Sequence, residues 1–303
     1  MSTLVRRVIE KGPVDIARAL RARIARPVHL YRARKGTEYR DPSDAELARI
    51  ESDLCGAGID CEDYRADRDV FAAFKARMAF PTDYHGGAHG GVYEEKLLEH
   101  FVAWDLLDLE GSAGRWPYVD VAGASSPWVR ILREQGLQAF SIDLAPHAAL
   151  ARLGYYLCGD ATASPFETGT VGSASLQCAY EMFAGDADTR LVAELARILK
   201  PGGRVVISPL YTHTHACYYQ TPEYYGQPIG DRDAKGYVRR HAWGVPASRK
   251  YNATSLRERV WEPARLAGLT PRLLVLRNKA SFGPGVYLHF ILTLDKPRSG
   301  TTP

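Results

Sequence analysis

The chain has 303 residues, 46% of them hydrophobic, a formal net charge of +4 and five cysteines. This length suits one large α/β domain plus an extension, and the small charge points away from a nucleic-acid partner. The cysteines (Cys55, Cys61, Cys158, Cys178, Cys217) have neither a disulfide-framework nor a zinc-finger spacing, and no apolar run reaches the roughly 18 residues of a membrane span, so a reduced cytoplasmic setting is expected.

The first 40 residues stand apart, with eleven Lys or Arg against three acids. Within them PVDIARALRARIARP reads as a helix opened by Pro13 and closed by Pro27, with Ile16, Leu20 and Ile24 on one stripe. Two readings follow: a solvated helix docked by that stripe, or a peripheral contact with an anionic membrane. Residues 42 to 80 read as helical, capped by Ser43 or Asp44. FPTDYHGGAHGGVY, residues 80 to 93, has four glycines in six positions and cannot hold a regular element. His85 and His89 are therefore not expected to bind metal; the loop reads as a lid or a plain linker. A helix follows, periodic through Leu97, Leu98, Phe101 and Leu106.

From residue 117 strands and helices alternate. YVDV, AFSIDL, YYLCGDA, ASLQCAYEMF and RVVISPL are strands. SPWVRILREQG is a helix with Ser126 as cap, Pro127 in its first position and Gly136 just past its end, and DTRLVAELARIL is another. KPGG reads as a turn, and TPRLLVLRN and VYLHFILTL supply two last strands. The expectation is a doubly wound, mostly parallel α/β sheet. Ligands of such sheets bind beyond the carboxyl ends of the strands. There stand Asp120 with the small-residue loop AGASS, then Asp143, then Asp160. An acid at Asp143 can accept from both ribose hydroxyls of a nucleoside, and one at Asp160 from an adenine amine.

These segments resemble the class I S-adenosylmethionine-dependent methyltransferases, in their small-molecule, type 11-like branch. VDVAGASS stands for the first motif, SIDLAP for the ribose acid, GDATASPF for the adenine contact, SLQCAYEMF for the segment after strand four, and LARILKPGGRVVIS for the helix, turn and strand that follow. With the two C-terminal strands the resemblance spans roughly residues 90 to 297. It implies a seven-stranded, mostly parallel Rossmann-like sheet with an antiparallel last strand, and bound S-adenosyl-L-methionine. The cofactor residues it implies are Asp120, Ala122, Gly123, Ala124, Asp143, Leu144, Asp160, Ala161 and Ala179. The family pattern D-x-G-x-G-x-G is degenerate here: Ala122, Ala124 and Ser126 occupy the glycine places and one glycine is shifted to Gly123. The loop reads as rebuilt, with Gly123 expected to absorb the tight turn and Ser125 and Ser126 offering hydroxyls.

The chain thus divides into a basic helical extension with its glycine-rich lid (1–90) and a methyltransferase domain (91–303) with an insertion at about 211–253. The insertion carries seven tyrosines and Arg239, Arg240, His241 and Trp243, which suits a small-molecule or glycan acceptor; a helical cap packed by its tyrosines is the alternative. Candidate bases for O-methylation are Glu181, His213 and His215. No metal is expected, because no second ligand cluster accompanies the two histidines. The competing readings are a scaffold of the same fold without turnover and a nicotinamide-dependent dehydrogenase, the latter disfavoured by KPGG and GDA. The oligomeric state is not legible.

Overall fold

The computed structural model describes residues 13–89, 92–111, 115–123, 126–231 and 233–298. Helix α1 (Pro13–Ala33) leads into α2 (Asp44–Gly56), where Ser43 and Glu46 form the reciprocal cap expected of Ser-x-x-Glu. Strand β1 (Cys61–Tyr64), helix α3 (Arg68–Met78) and helix α4 (Tyr93–Leu106) precede the alternating region. That region runs β2 (Tyr118–Val121), α5 (Trp128–Glu134), β3 (Ala139–Asp143), α6 (Ala148–Ala151), β4 (Tyr156–Cys158), β5 (Val171–Gln177), α7 (Ala187–Ile198) and β6 (Leu199–Ser208). The insertion follows as β7 (Cys217–Gln220), β8 (Lys235–Val238) and β9 (Ser248–Lys250); β10 (Thr270–Leu276) and β11 (Phe290–Asp295) close the chain.

Eight strands form one sheet in the order β1-β10-β11-β6-β5-β2-β3-β4, with β11 antiparallel to both neighbours. The seven expected strands are all present, joined by an eighth at the edge. The β2 to β6 run is parallel, so the carboxyl ends of β2, β3, β4 and β5 share one edge. Two apolar clusters fill the faces. Val119, Leu176, Leu195 and Ile207 lie in one; Phe74, Phe101, Trp128 and Val206 lie in the other.

Four local expectations are corrected. Residues 42 to 80 are not continuous helix: Cys61–Tyr64 pairs in parallel with Leu273–Leu276, because extending the sheet satisfies the backbone of an otherwise open edge at β10. Helix α1 does not stop at Pro27 but runs to Ala33. The turn beyond the proline is held from outside, since Ala33 is fully buried and the Arg240 guanidinium donates to the carbonyls of Ala33, Arg34 and Gly36. Ile24 is 70% exposed rather than packed, and the side chains of Ile16 and Leu20 lie outside the described residues. KPGG begins β6 rather than preceding it, with Gly202 at φ +77°. No described helix is long and apolar enough to cross a membrane.

The insertion is a three-stranded sheet in the order β8-β7-β9, not a helical cap. It meets the extension directly: Tyr39 N donates to Val238 O (2.8 Å), Val238 N donates to Thr37 O (2.9 Å), and Arg240 pairs with Glu38. The glycine-rich loop makes a single tight turn at Tyr84–His89, with positive φ at His85, Gly86 and Gly87; the His89 side chain lies outside the described residues.

Candidate active site

The loop after β2 answers the missing-glycine question differently from expectation. Ala122, not Gly123, takes the left-handed turn, at φ +60°, while its N–H donates to Ile142 O at 2.8 Å. Gly123 serves by lacking a side chain: a Cβ there would overlap Asp120 Oδ2 and come within 2.6 Å of Ser141 Oγ. Alanine tolerates the left-handed region at a cost of about 1 kcal/mol, whereas a buried overlap has nowhere to go. Ala124 and Ser125 lie outside the described residues. Asp120 is 1% exposed, and its Oδ2 and Ser141 Oγ have no hydrogen-bond partner among the described residues. Burial, then the Asp143 charge, pushes the Asp120 carboxyl up to about 8.

Three cavities open at this edge of the sheet. One of about 580 Å³ is lined by Ala122, Asp143, Leu144, Asp160, Ala161 and Ala179, with Met182 and Phe183 opposite. Asp143 Oδ1 accepts from Ala145 N at 2.8 Å. Asp160 Oδ1 accepts from the Thr162 N–H (2.9 Å) and hydroxyl (2.8 Å), which hold its carboxyl below the usual range. Leu144, 75% exposed, presents an apolar surface at the cavity mouth. A second cavity, about 270 Å³, lies between Asp120, Gly123 and Ser126 on one side and Tyr84, Lys96, Glu99 and His100 on the other. The third, about 470 Å³, is walled by Tyr39, Tyr211, Tyr219 and Tyr287 and by Glu181, Lys96 and Arg239.

Cys178 lines all three. It follows β5 at φ +51°. Its sulfur lies 3.4 Å from Glu181 Oε1 and 3.3 Å from the Tyr211 hydroxyl, and burial, then Glu181, pushes the thiol up to about 12. Glu181 is 7% exposed, and its Oε2 has no hydrogen-bond partner among the described residues.

The protein-family model described as "Methyltransferase domain" matches residues 119–207, which run from β2 to β6 and hold the strand-end acids. Residues 119–207 carry a class I S-adenosylmethionine-dependent methyltransferase domain. Comparison with curated protein sequences gives no match. Among solved structures, the chain is similar to the Burkholderia thailandensis 1,6-didemethyltoxoflavin-N1-methyltransferase (18% identity, 78% of this chain and 93% of that one, TM-score 0.47). It is also similar to a putative methyltransferase of Haloferax volcanii bound to the Trm112 activator (18%, 78% and 100%, TM-score 0.42). A third is the geranyl diphosphate C-methyltransferase of Streptomyces coelicolor A3(2) (17%, 85% and 100%, TM-score 0.40). The family match, not these likenesses, carries the assignment.

The methyltransferase's residues fit its cofactor, S-adenosylmethionine. The 580 Å³ cavity is within the usual range for ligand clefts, about 300–1,000 Å³, and is lined by two acids and apolar side chains. Asp120 and Ser141 keep polar atoms without a partner among the described residues, beside the cradle that Gly123 leaves open.

The three candidate bases separate. Glu181 lines the 470 Å³ cavity. His213 lines a different hollow, against residues 52–57 and 252–254, and His215 lies against Tyr237, its Nε2 2.8 Å from that hydroxyl. Neither histidine lines any of the three cavities that meet at Cys178. Burial lowers both imidazoles below their ordinary range.

Sequence reasoning missed the polar face of α4. Its apolar periodicity is real, yet Glu95, Lys96, Glu99 and His100 are also buried. Lys96 Nζ donates to Glu99 Oε1 at 2.8 Å; burial works against its charge, and the Glu99 carboxylate sustains it. Glu95 Oε2 accepts from Tyr287 N at 3.0 Å. Burial lowers His100, and its Nε2 lies 2.9 Å from the Tyr84 hydroxyl. EEKLLEH carries charges at i and i+4, a pattern that suits a solvated helix face equally well, so their burial is not legible in it. Lys250, 2% exposed, was also missed. Its Nζ sits 3.4 Å from the Tyr211 ring centroid, and burial pulls it down to about 8.

Proposed function

We propose that this methyltransferase transfers a methyl group to oxygen on a small polar acceptor bound in the 470 Å³ cavity, with Glu181 as the base. The observation that carries this reading is that Cys178 is common to the walls of all three cavities. Their order along the sheet edge matches what methyl transfer requires: one site for the nucleoside, one for the amino-acid end and one for the acceptor, meeting at one point.

S-adenosylmethionine supplies the electrophilic methyl sulfonium when bound. The chain's residues then orient and deprotonate. Asp143 accepts from the ribose hydroxyls, Asp160 from the adenine amine, and Leu144 and Met182 cover the faces of the base. Asp120, Ala122 and Gly123 border the amino-acid end. Glu181, buried and with one oxygen that has no partner among the described residues, takes the proton of the acceptor hydroxyl. The tyrosine walls, interleaved with Arg239 and Lys96, suit a ring that carries hydroxyls, either a saccharide unit or a phenolic compound.

Titration with S-adenosylhomocysteine tests the cofactor half. Micromolar binding is expected, weakened roughly 10- to 100-fold in Asp143→Ala, the worth of a hydrogen bond to a charged group. A screen of hydroxylated saccharides and phenolics tests the acceptor half. Glu181→Gln is expected to lower turnover on the order of 10²- to 10⁴-fold with unchanged affinity for S-adenosylhomocysteine. Unchanged turnover in that variant would remove Glu181 from the reaction.

A further inference from the structure

His213, His215 and Cys217 alternate along the chain, and a bend at Thr214–His215 just before β7 gathers them. Their ligand atoms, two imidazole nitrogens and one sulfur, all lie within 4.8 Å of one another. Cys217 is fully buried and His213 is 8% exposed. We propose that these three side chains bind one zinc ion, outside the methyl-transfer site.

The donor set is chemically specific. Two neutral imidazoles and one thiolate form a borderline-soft site that selects zinc over magnesium or calcium, which prefer oxygen. Each histidine is already oriented by a neighbour. His215 Nε2 lies 2.8 Å from the Tyr237 hydroxyl, and His213 Nδ1 lies 3.2 Å from the Thr214 hydroxyl. Each ring is thus held through one nitrogen, as ligating imidazoles are, and the other exchanges its present contact for the ion, which for His213 is the Arg40 backbone. The Thr214 hydroxyl is also 3.3 Å from His215 Nδ1, a contact that the ion replaces. Water completes the tetrahedron. Binding breaks the Cys217 S–H bond, forms a zinc–sulfur bond and releases the proton to solvent.

Two lysines flank the sulfur. Cys217 pairs in register with Lys235 on one side and Lys250 on the other. Lys250 is buried, donates to Ser248 Oγ at 2.9 Å and makes no salt bridge among the described residues. The consequence is positional: Tyr211 before the cluster and Tyr219 after it both wall the 470 Å³ cavity, so the ion ties that wall together.

The test uses the full chain. Metal analysis of the purified protein is expected to find about one zinc per chain, lost in Cys217→Ser and in His215→Ala. Cobalt added to metal-free protein is expected to give a thiolate-to-metal absorption band that Cys217→Ser lacks. A chelator should lower the melting temperature of the natural protein and leave that of His215→Ala unchanged. His215 is partly exposed, so its variant still reports if Cys217→Ser fails to fold. A natural protein that holds no zinc even after zinc is supplied overturns the proposal. So does full zinc content in either variant.

Discussion

The Cys178 sulfur lies 3.3 Å from the Tyr211 hydroxyl, joining the end of β5 to the segment after β6 at the point where three cavities meet. Both residues are half-buried and line the cavity walls, so little space separates the nucleoside side from the acceptor side. Cys178→Leu is expected to overpack this junction at a cost of about 1–3 kcal/mol and to weaken S-adenosylhomocysteine binding by on the order of 10- to 100-fold. Cys178→Gly, which also relieves the φ of +51°, should bind within a few-fold of the natural protein. Equal affinity for all three proteins would show that the junction is not shared with the cofactor.

Gly123 and Ala122 make opposite predictions. Gly123→Ala drives a methyl into the Asp120 carboxylate and Ser141 Oγ, so it should destabilise the fold by about 1–3 kcal/mol and impair cofactor binding. Ala122→Gly removes left-handed strain at φ +60°, offset by a more flexible unfolded chain, so it should raise stability by at most about 1 kcal/mol and preserve binding. Denaturant titrations of the two variants check both. A destabilised Ala122→Gly would mean that its methyl contributes packing that outweighs the strain.

Asp120 imposes a pH dependence on the cofactor-free protein. Its carboxyl is raised to about 8 by burial and by Asp143, against an ordinary value of 3.8, so the folded state holds a proton that the unfolded state has released. Its contribution is fully present below about pH 4 and declines as pH rises towards 8. The slope is at most about 1.4 kcal/mol per pH unit. Asp120→Asn should abolish this slope in melts recorded across that window. An identical slope in the variant would place its origin elsewhere.

Asp188 anchors the insertion to α7. It is fully buried and takes ion pairs from Arg249 (2.7 Å) and Arg259 (2.7 Å) and a hydrogen bond from the Tyr251 hydroxyl (2.8 Å). Asp188→Ala leaves the buried Arg249 without this carboxylate and should cost about 3–5 kcal/mol, read as a lowered denaturation midpoint. A loss under 1 kcal/mol would show that Asp231, 2.8 Å from the Arg249 Nε, suffices.

The sheet was readable from the chain because its information is local. Apolar runs of strand length alternate with helical periodicity from residue 117 onward, and the right-handed crossover places the carboxyl ends of the parallel strands β2 to β6 on one edge. Asp143 and Asp160 line one cavity as a consequence of that topology. The edge strand Cys61–Tyr64 escaped notice because CEDY has no apolar run and becomes a strand only by pairing with β10.

The sequence by itself determined the doubly wound architecture and the order of the strand-end acids, since period, caps and turns act over a few residues. Only the tertiary structure decided that Ala122 rather than Gly123 takes the left-handed turn, that the charged residues of α4 face inward, and that Cys178 touches three cavities. It alone parted Glu181 from the two histidines. These outcomes depend on contacts such as Cys178 with Tyr211, 33 residues apart, and Glu95 with Tyr287, 192 apart. Burial and packing across such distances arise when the whole chain closes around its core, and no local pattern of residue types encodes them.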